Sequence, residues 1–333
     1  MSTPHMSQGG QLGLDAGHQE AEWRMARAES LTRRSLRRLL RKRIAVICIV
    51  VIAIFYTVGA FANFVAPYGY SKQNLDLSFS GPSLHHPLGT DRNGRDTLSR
   101  NIYAARTTVV VTAATVLSGF VLLPVTLGML GGYRRGFVDA AIMRAGEILA
   151  SLPGLPMLVL ITATLRPRWD HWMEHVANGL HWGGFITEGF ADYFLIFAVL
   201  SLFGWVGGAR IVRSQVLTLR NSEFITAARA SGATTARILF QHILPNIMPL
   251  IIVSASAGLG GIAASEIGLT FLGVGVQPPH PSFGALISDG APRTVLEHHP
   301  ELLLVPAAFV ASMIFAFNLL GDALNDVFTS RAA

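Results

Sequence analysis

The chain has 333 residues, of which 51% are hydrophobic and only 14% charged, and its mean hydropathy is +0.45. An ordinary globular domain carries about 25% charged residues, so this balance excludes a soluble globular protein and points to a chain embedded in lipid. The net charge of +6 does not indicate nucleic acid, because the positive residues collect beside apolar runs, and the single cysteine, Cys48, excludes an internal disulfide.

The first 43 residues begin polar and end in "LTRRSLRRLLRKR", leucines set among arginines. They read as a basic cytoplasmic segment: a solvated positive anchor, an amphipathic helix on anionic lipid, or both. No cleaved leader is expected, since the first apolar run is long enough to span. That run, 44–66, is the clearest span, and Cys48 within it reads as packing material. Segment 67–106 follows as an external loop. Its "GTDRNGRD" (89–96) is dense in turn formers. Asp91, Arg92, Arg95 and Asp96 are placed to pair with one another there, in a simple capped loop or a more structured element.

Five more spans are expected at 107–130, 145–165, 193–209, 245–269 and 302–320, each near the roughly 20 apolar residues a bilayer needs. They make 107–321 a five-helix core. Pro124, Pro153 and Pro156 fall inside spans, where neighbouring helices can re-satisfy the backbone. Ala255, Gly258, Gly261 and Ala264 suit close helix packing. Segment 166–192 reads as an external insertion at the headgroups, given Trp169, Trp172 and Trp182. It contains "HWMEH" (171–175), an H-x-x-E-H pattern that on a helix sets His171 and His175 one turn apart, as zinc ligands need. No recognisable third ligand accompanies it, so interfacial packing without a metal is expected, with a membrane metalloprotease as a rival reading. Glu147 and Glu266 lie within or near spans, where an acid faces a cavity or a partner. Glu266 reads as a structural hydrogen-bonding acid rather than a substrate ligand. Residues 322–333 form a cytoplasmic tail, with Asp322 and Asp326 capping or pairing at that face.

Lys and Arg set the orientation. With the N-terminus inside, 18 basic residues fall in inside segments and 8 in outside segments, so both termini are expected in the cytoplasm. The stretch "ITAARASGATTARILFQHILPN" (225–246) then lies inside as well. Ser222 is placed to cap a helix with Glu223 in its first turn. Gly232 is placed to end that helix in a left-handed conformation. A second short helix is expected from Thr235, and Pro245 opens the fifth span. On physical grounds this elbow is an ordinary connector or a stiff device that transmits force.

The elbow resembles the EAA loop of ABC importer permeases, on "TAARASG", nine residues, then "HILP". Ala227, Ala228, Gly232, Leu244 and Pro245 match that pattern. Thr226 stands where Glu is typical, with Glu223 one turn upstream, and His242 stands where Ile is typical. The histidine is similar to the dipeptide/oligopeptide permease branch. Three further blocks, 86–108, 265–290 and 317–328, are similar to the C-type subunit of that branch. The resemblance implies an all-α polytopic fold with six transmembrane helices, the type I ABC importer permease fold. It implies that 222–245 docks on a separate ATP-binding subunit. It implies as partners a B-type second permease in a heterodimer, two ATP-binding subunits or domains, an extracytoplasmic solute-binding protein and the lipid bilayer of a bacterial inner membrane. The chain has no GxxxxGK[ST] loop, so it is expected to be no enzyme, with ATP and Mg on the partner subunits. A secondary transporter driven by an ion gradient is the alternative. It would show repeated, broken helices around a midplane charge, and no convincing repeat is seen. The cargo is left open among dipeptides, longer peptides, glutathione, nickel complexes and opines.

Overall fold

A computed structural model describes residues 37–180 and 189–329. The described chain is helical, with an isolated bridge between Thr90 and Asp96 in place of any strand. In chain order the helices are α1 (Arg43–Ala60), α2 (Thr97–Arg134), α3 (Gly136–Ser151), α4 (Gly154–Leu180), α5 (Phe190–Leu219), α6 (Glu223–Ala230), α7 (Thr235–Phe271), α8 (Phe283–Gly290), α9 (Arg293–His298) and α10 (Glu301–Thr329). Five of these, α1, α2, α5, α7 and α10, are long and apolar enough to cross a membrane. The pair α3 and α4, bent by 95°, supplies the sixth crossing when read as one broken span.

The expected third span, 145–165, is therefore not one straight helix. Leu152 adopts an extended conformation (ψ 144°) before Pro153, because the proline ring disfavours helical backbone in the residue before it. The helix restarts at Gly154 and continues to Leu180. Residues 166–180 thus continue the same helix and are not a separate element. Within the insertion, 181–188 with Trp182 lie outside the described residues, as do 1–36 and 330–333. The second span starts earlier than expected, at Thr97, because Asp96 caps it by accepting from the Ser99 amide.

Two π-helical stretches, Val116–Leu122 and Ile238–Ile243, sit just before Pro124 and Pro245. A proline inside a helix removes a donor and crowds the carbonyl four residues back, and a wider turn relieves both defects. Pro245 occupies the first turn of the α-helical part of α7, as expected, but the helix does not break there. The elbow's second helix is consequently the base of the fifth span and not a separate short element.

Packing centres on α2 against α5. A Cβ added at Gly128 would come within 2.7 Å of Val212, and one at Gly132 within 2.9 Å of Val216. Those two glycines let the helices touch along their lower halves. Of the four small residues singled out in the fifth span, Ala255 is buried and Gly258 meets the Phe120 ring. Gly261 and Ala264 lie on the open face instead. Lys42 at the base of α1 pairs with Asp326 near the end of α10 at 2.9 Å, the role expected of that acid.

Candidate functional site

The elbow is fused to the spans above it. Ile225 of α6 and Ile238, Ile243 and Ile247 of α7 form one core with Val125 and Met129 of α2 and Val212 and Val216 of α5. Ile225 and Ile243 are completely buried. Ser222 stands at the N-cap position, but its hydroxyl donates back to the Leu219 carbonyl (2.6 Å) instead of capping. Thr226 likewise turns its hydroxyl onto the Ser222 carbonyl, 3.1 Å away. At the other end Gly232 has φ +82°. Its amide donates to Arg229 O and the Ala233 amide to Ala228 O, both at 3.0 Å, the paired bonds of a Schellman stop.

Away from that core, Glu223, Thr226, Ala227, Arg229 and Ala230 are exposed, while Ala228, His242 and Leu244 are half-buried and Pro245 is exposed. The open side of α6 is thus a low ledge of small side chains. Sequence places Phe240 on the apolar side of the second helix with Ile238, Leu239 and Ile243, yet it is 57% exposed. A short apolar run does not fix which of its residues the helix turns outward.

Two polar ties bind the elbow end of α5 to its neighbours. Arg213 grips both carboxylate oxygens of Asp139 on α3, with Nη2 2.5 Å from Oδ2 and Nε on Oδ1. Arg220 donates to the Tyr133 carbonyl at 2.8 Å and lies over the Tyr133 ring. Neither tie was anticipated.

At the opposite end, Asp91 is the hub of a buried cluster. Its Oδ2 accepts from Arg95 Nε (2.7 Å) and Arg100 Nη1 (2.6 Å). Its Oδ1 accepts from the Asn93 and Arg95 amides at 2.8 and 3.0 Å. Burial alone would raise the Asp91 pKa, but Arg100, the Arg95 and Asn93 amides and the Arg95 side chain hold it below the usual range. Asp289 of α8 joins from far along the chain, 3.4 Å from Arg100 and 3.8 Å from Arg92. Asp96 does not pair with an arginine. It accepts from the Ser99 amide and hydroxyl and faces His86 Nδ1 at 2.8 Å. The stretch 89–96 is therefore a structured element that welds the loop to α2 and α8. Arg100 and Asp289 sat in the sequence blocks already noted but carried no local signal of their pairing.

The same end holds a second knot. Arg166 of α4 pairs with Asp192 of α5 at 2.7 Å and donates to the Val274 and Gly275 carbonyls. Asp192 also accepts from the Gln277 amide. Trp169, one turn on, donates to the Ala191 carbonyl at 2.8 Å, so it packs inward. Further along α4, His171 and His175 bring their Nε2 atoms to 3.2 Å on an exposed face. Among the described residues no three His, Cys, Asp or Glu side chains converge for a metal. Glu266 of α7 is fully buried and accepts from Thr108 of α2 (3.2 Å) and from Thr270 (3.3 Å). It cross-links two spans, as a structural acid would. Glu147 is exposed beside Arg144.

The arrangement contains no assembled metal cluster among the described residues. It can be gripped at the elbow and braced at the other end. The family described as "binding-protein-dependent transport system inner membrane component" matches residues 124–333. The "N-terminal TM domain of oligopeptide transport permease C" matches residues 30–84. The chain is 34% identical over 297 residues to the dipeptide transport system permease protein DppC of Bacillus subtilis, covering 89% of this chain and 85% of that protein. It is 33% identical over 308 residues to the oligopeptide transport system permease protein OppC of the same organism, covering 92% of each. It is also 33% identical over 299 residues to OppC of Haemophilus influenzae, covering 89% of this chain and 88% of that protein.

Proposed function

Because this chain belongs to the family of binding-protein-dependent transport system inner membrane components, we propose that it forms half of the translocation pathway of a peptide importer. It is a multi-pass permease subunit of an ABC importer for peptides. The cargo is a dipeptide or short oligopeptide, in keeping with the names of its dipeptide and oligopeptide permease relatives. A B-type permease completes the pathway. Two ATP-binding subunits or domains hold ATP and Mg, and a solute-binding protein delivers cargo on the far side. The termini and the elbow lie in the cytoplasm of a bacterial cell with the chain in its inner membrane, which the 18-to-8 distribution of basic residues supports.

The single observation that carries this reading is the elbow's shared core. An ATP-binding partner seated on the Glu223, Thr226, Ala227 and Ala230 ledge would push on Ile225 and Ile238. Those side chains are packed in one buried cluster with α2, α5 and the base of α7, and close-packed interiors transmit strain. Closing and opening of the ATP sites thereby tilts three spans together. The deciding experiment is uptake of a radiolabelled dipeptide panel into proteoliposomes holding the full importer and its binding protein. ATP-dependent uptake that survives collapse of the ion gradients is expected. Uptake that follows the gradients and ignores ATP would mark a secondary transporter.

A further inference from the structure

The core beneath the elbow accounts for how α6 moves α2, α5 and α7, but not for how α3 and α4 follow. Here the two polar ties matter. Arg213 on α5 and Arg220, its C-cap residue in the same helical backbone conformation, are seven residues apart, so both project from one face of the helix, the face that α2 and α3 cover. Arg213 holds Asp139 of α3 in a two-bond fork. That geometry fixes direction as well as distance. Gly131 of α2 leaves the room that this carboxylate occupies, since a Cβ there would come within 3.1 Å of Asp139 Oδ1. Arg220 follows the last residue of α5 and precedes the elbow's first helix by three positions. Its guanidinium satisfies the Tyr133 carbonyl in the last turn of α2, an acceptor the helix itself cannot fill. It also places a cation at that helix's negative end. Apolar contacts are non-directional and can slide. A fork and a capped carbonyl cannot slide without breaking.

We propose that Arg213 and Arg220 are positioning residues for energy coupling, locking α3 and the end of α2 to the elbow so that its displacement reaches the second and third spans as one rigid body. The proposal rests on the ABC-importer reading. In its absence the ties would be static braces. Asp139→Asn and Arg213→Lys each break the fork, the lysine keeping the charge but losing the planar donor pair. Arg220→Met frees the α2 carbonyl. The exchange Asp139→Arg with Arg213→Asp restores a pair in reverse.

The test uses the full importer in proteoliposomes, with radiolabelled dialanine as probe and two readouts. The first is ATP hydrolysed per dialanine taken up. The second is the distance between spin labels at Ser231 on the elbow and Ala145 on α3, nucleotide-free and vanadate-trapped. In wild type the distance should be the same in both states. In the three broken variants it should shift or broaden on trapping, and ATP spent per dialanine should rise at least about fivefold, the lower range of measured coupling energies. The exchanged pair should bring both readouts back toward wild type. Equal ratios in all variants, or a wild-type distance that changes on trapping, would overturn the proposal, as would parallel loss of hydrolysis and uptake. A wild-type complex that hydrolyses ATP but moves no dialanine counts against the peptide reading alone, because the label distances still report on the joint.

Discussion

Replacing Gly232 isolates the elbow's turn from every other feature of the chain. The residue sits at φ +82°, and a Cβ built there meets nothing within 4 Å. No neighbour has to move, so the cost of a side chain is the backbone cost alone. For an ordinary L-residue in the left-handed region that cost is about 1–2 kcal/mol, and it is larger for a β-branched one. Gly232→Ala should therefore reduce the population of correctly turned elbow by about fivefold or more, and Gly232→Val by about 30-fold or more. Gly232→Asn should lie near wild type, because asparagine tolerates this conformation. The spans should insert in normal amounts in all three variants, since no apolar run is touched. The assay is titration of the purified chain with its ATP-binding partner, followed by hydrolysis stimulated by the binding protein. The expected order of affinity is Gly and Asn, then Ala, then Val. If Val binds and couples like wild type, the elbow is a passive connector. If Asn is as harmful as Val, the partner requires a bare backbone at this point and the φ argument fails.

Other consequences can be checked separately. Ala227→Glu adds bulk and charge to the exposed ledge and should abolish ATPase co-purification, whereas Ala228→Glu, half-covered in the fold, should also lower the yield of folded chain. A cysteine replacing Glu174, with Cys48 changed to Ser, should react with an impermeant reagent in intact spheroplasts, and one at Ala145 only after lysis; the reverse pattern overturns the orientation. His171→Ala and His175→Ala should leave uptake unaltered, and stoichiometric zinc lost in either variant would contradict this. Asp91→Asn leaves Arg95 and Arg100 with Asp289 alone, 3.9 and 3.4 Å away, and should cost about 3 kcal/mol as a broken buried pair, read as a lower thermal midpoint. Because the Asp91 pKa is lowered in the fold, its contribution is complete above the ordinary value of about 4 and is lost as the pH falls through the folded value. Wild type and variant should converge once the pH has fallen below the folded value.

Much of this protein was legible in its sequence because a bilayer leaves the backbone few choices. An apolar run must become a helix that satisfies its own amides, so runs such as 44–66 and 302–320 announced α1 and α10. Gly232 announced its turn because few residues other than glycine occupy that region freely. Where sequence reading failed, the missing information was rotational or distant. A helix that is apolar on all sides gives no sign of which side meets a neighbour, which is why Gly261 and Ala264 turned out open and Phe240 exposed. Prolines in spans signalled disturbance but not its form: Pro153 broke a helix, whereas Pro124 and Pro245 were absorbed by π-helical turns in helices held on both sides by packing. The ties that brace the fold join Arg100 to Asp289, Arg166 to Asp192 and Arg213 to Asp139. No spacing rule links residues so far apart, because such a pair exists only once the intervening helices have packed and brought a buried charge to the partner that offsets its desolvation.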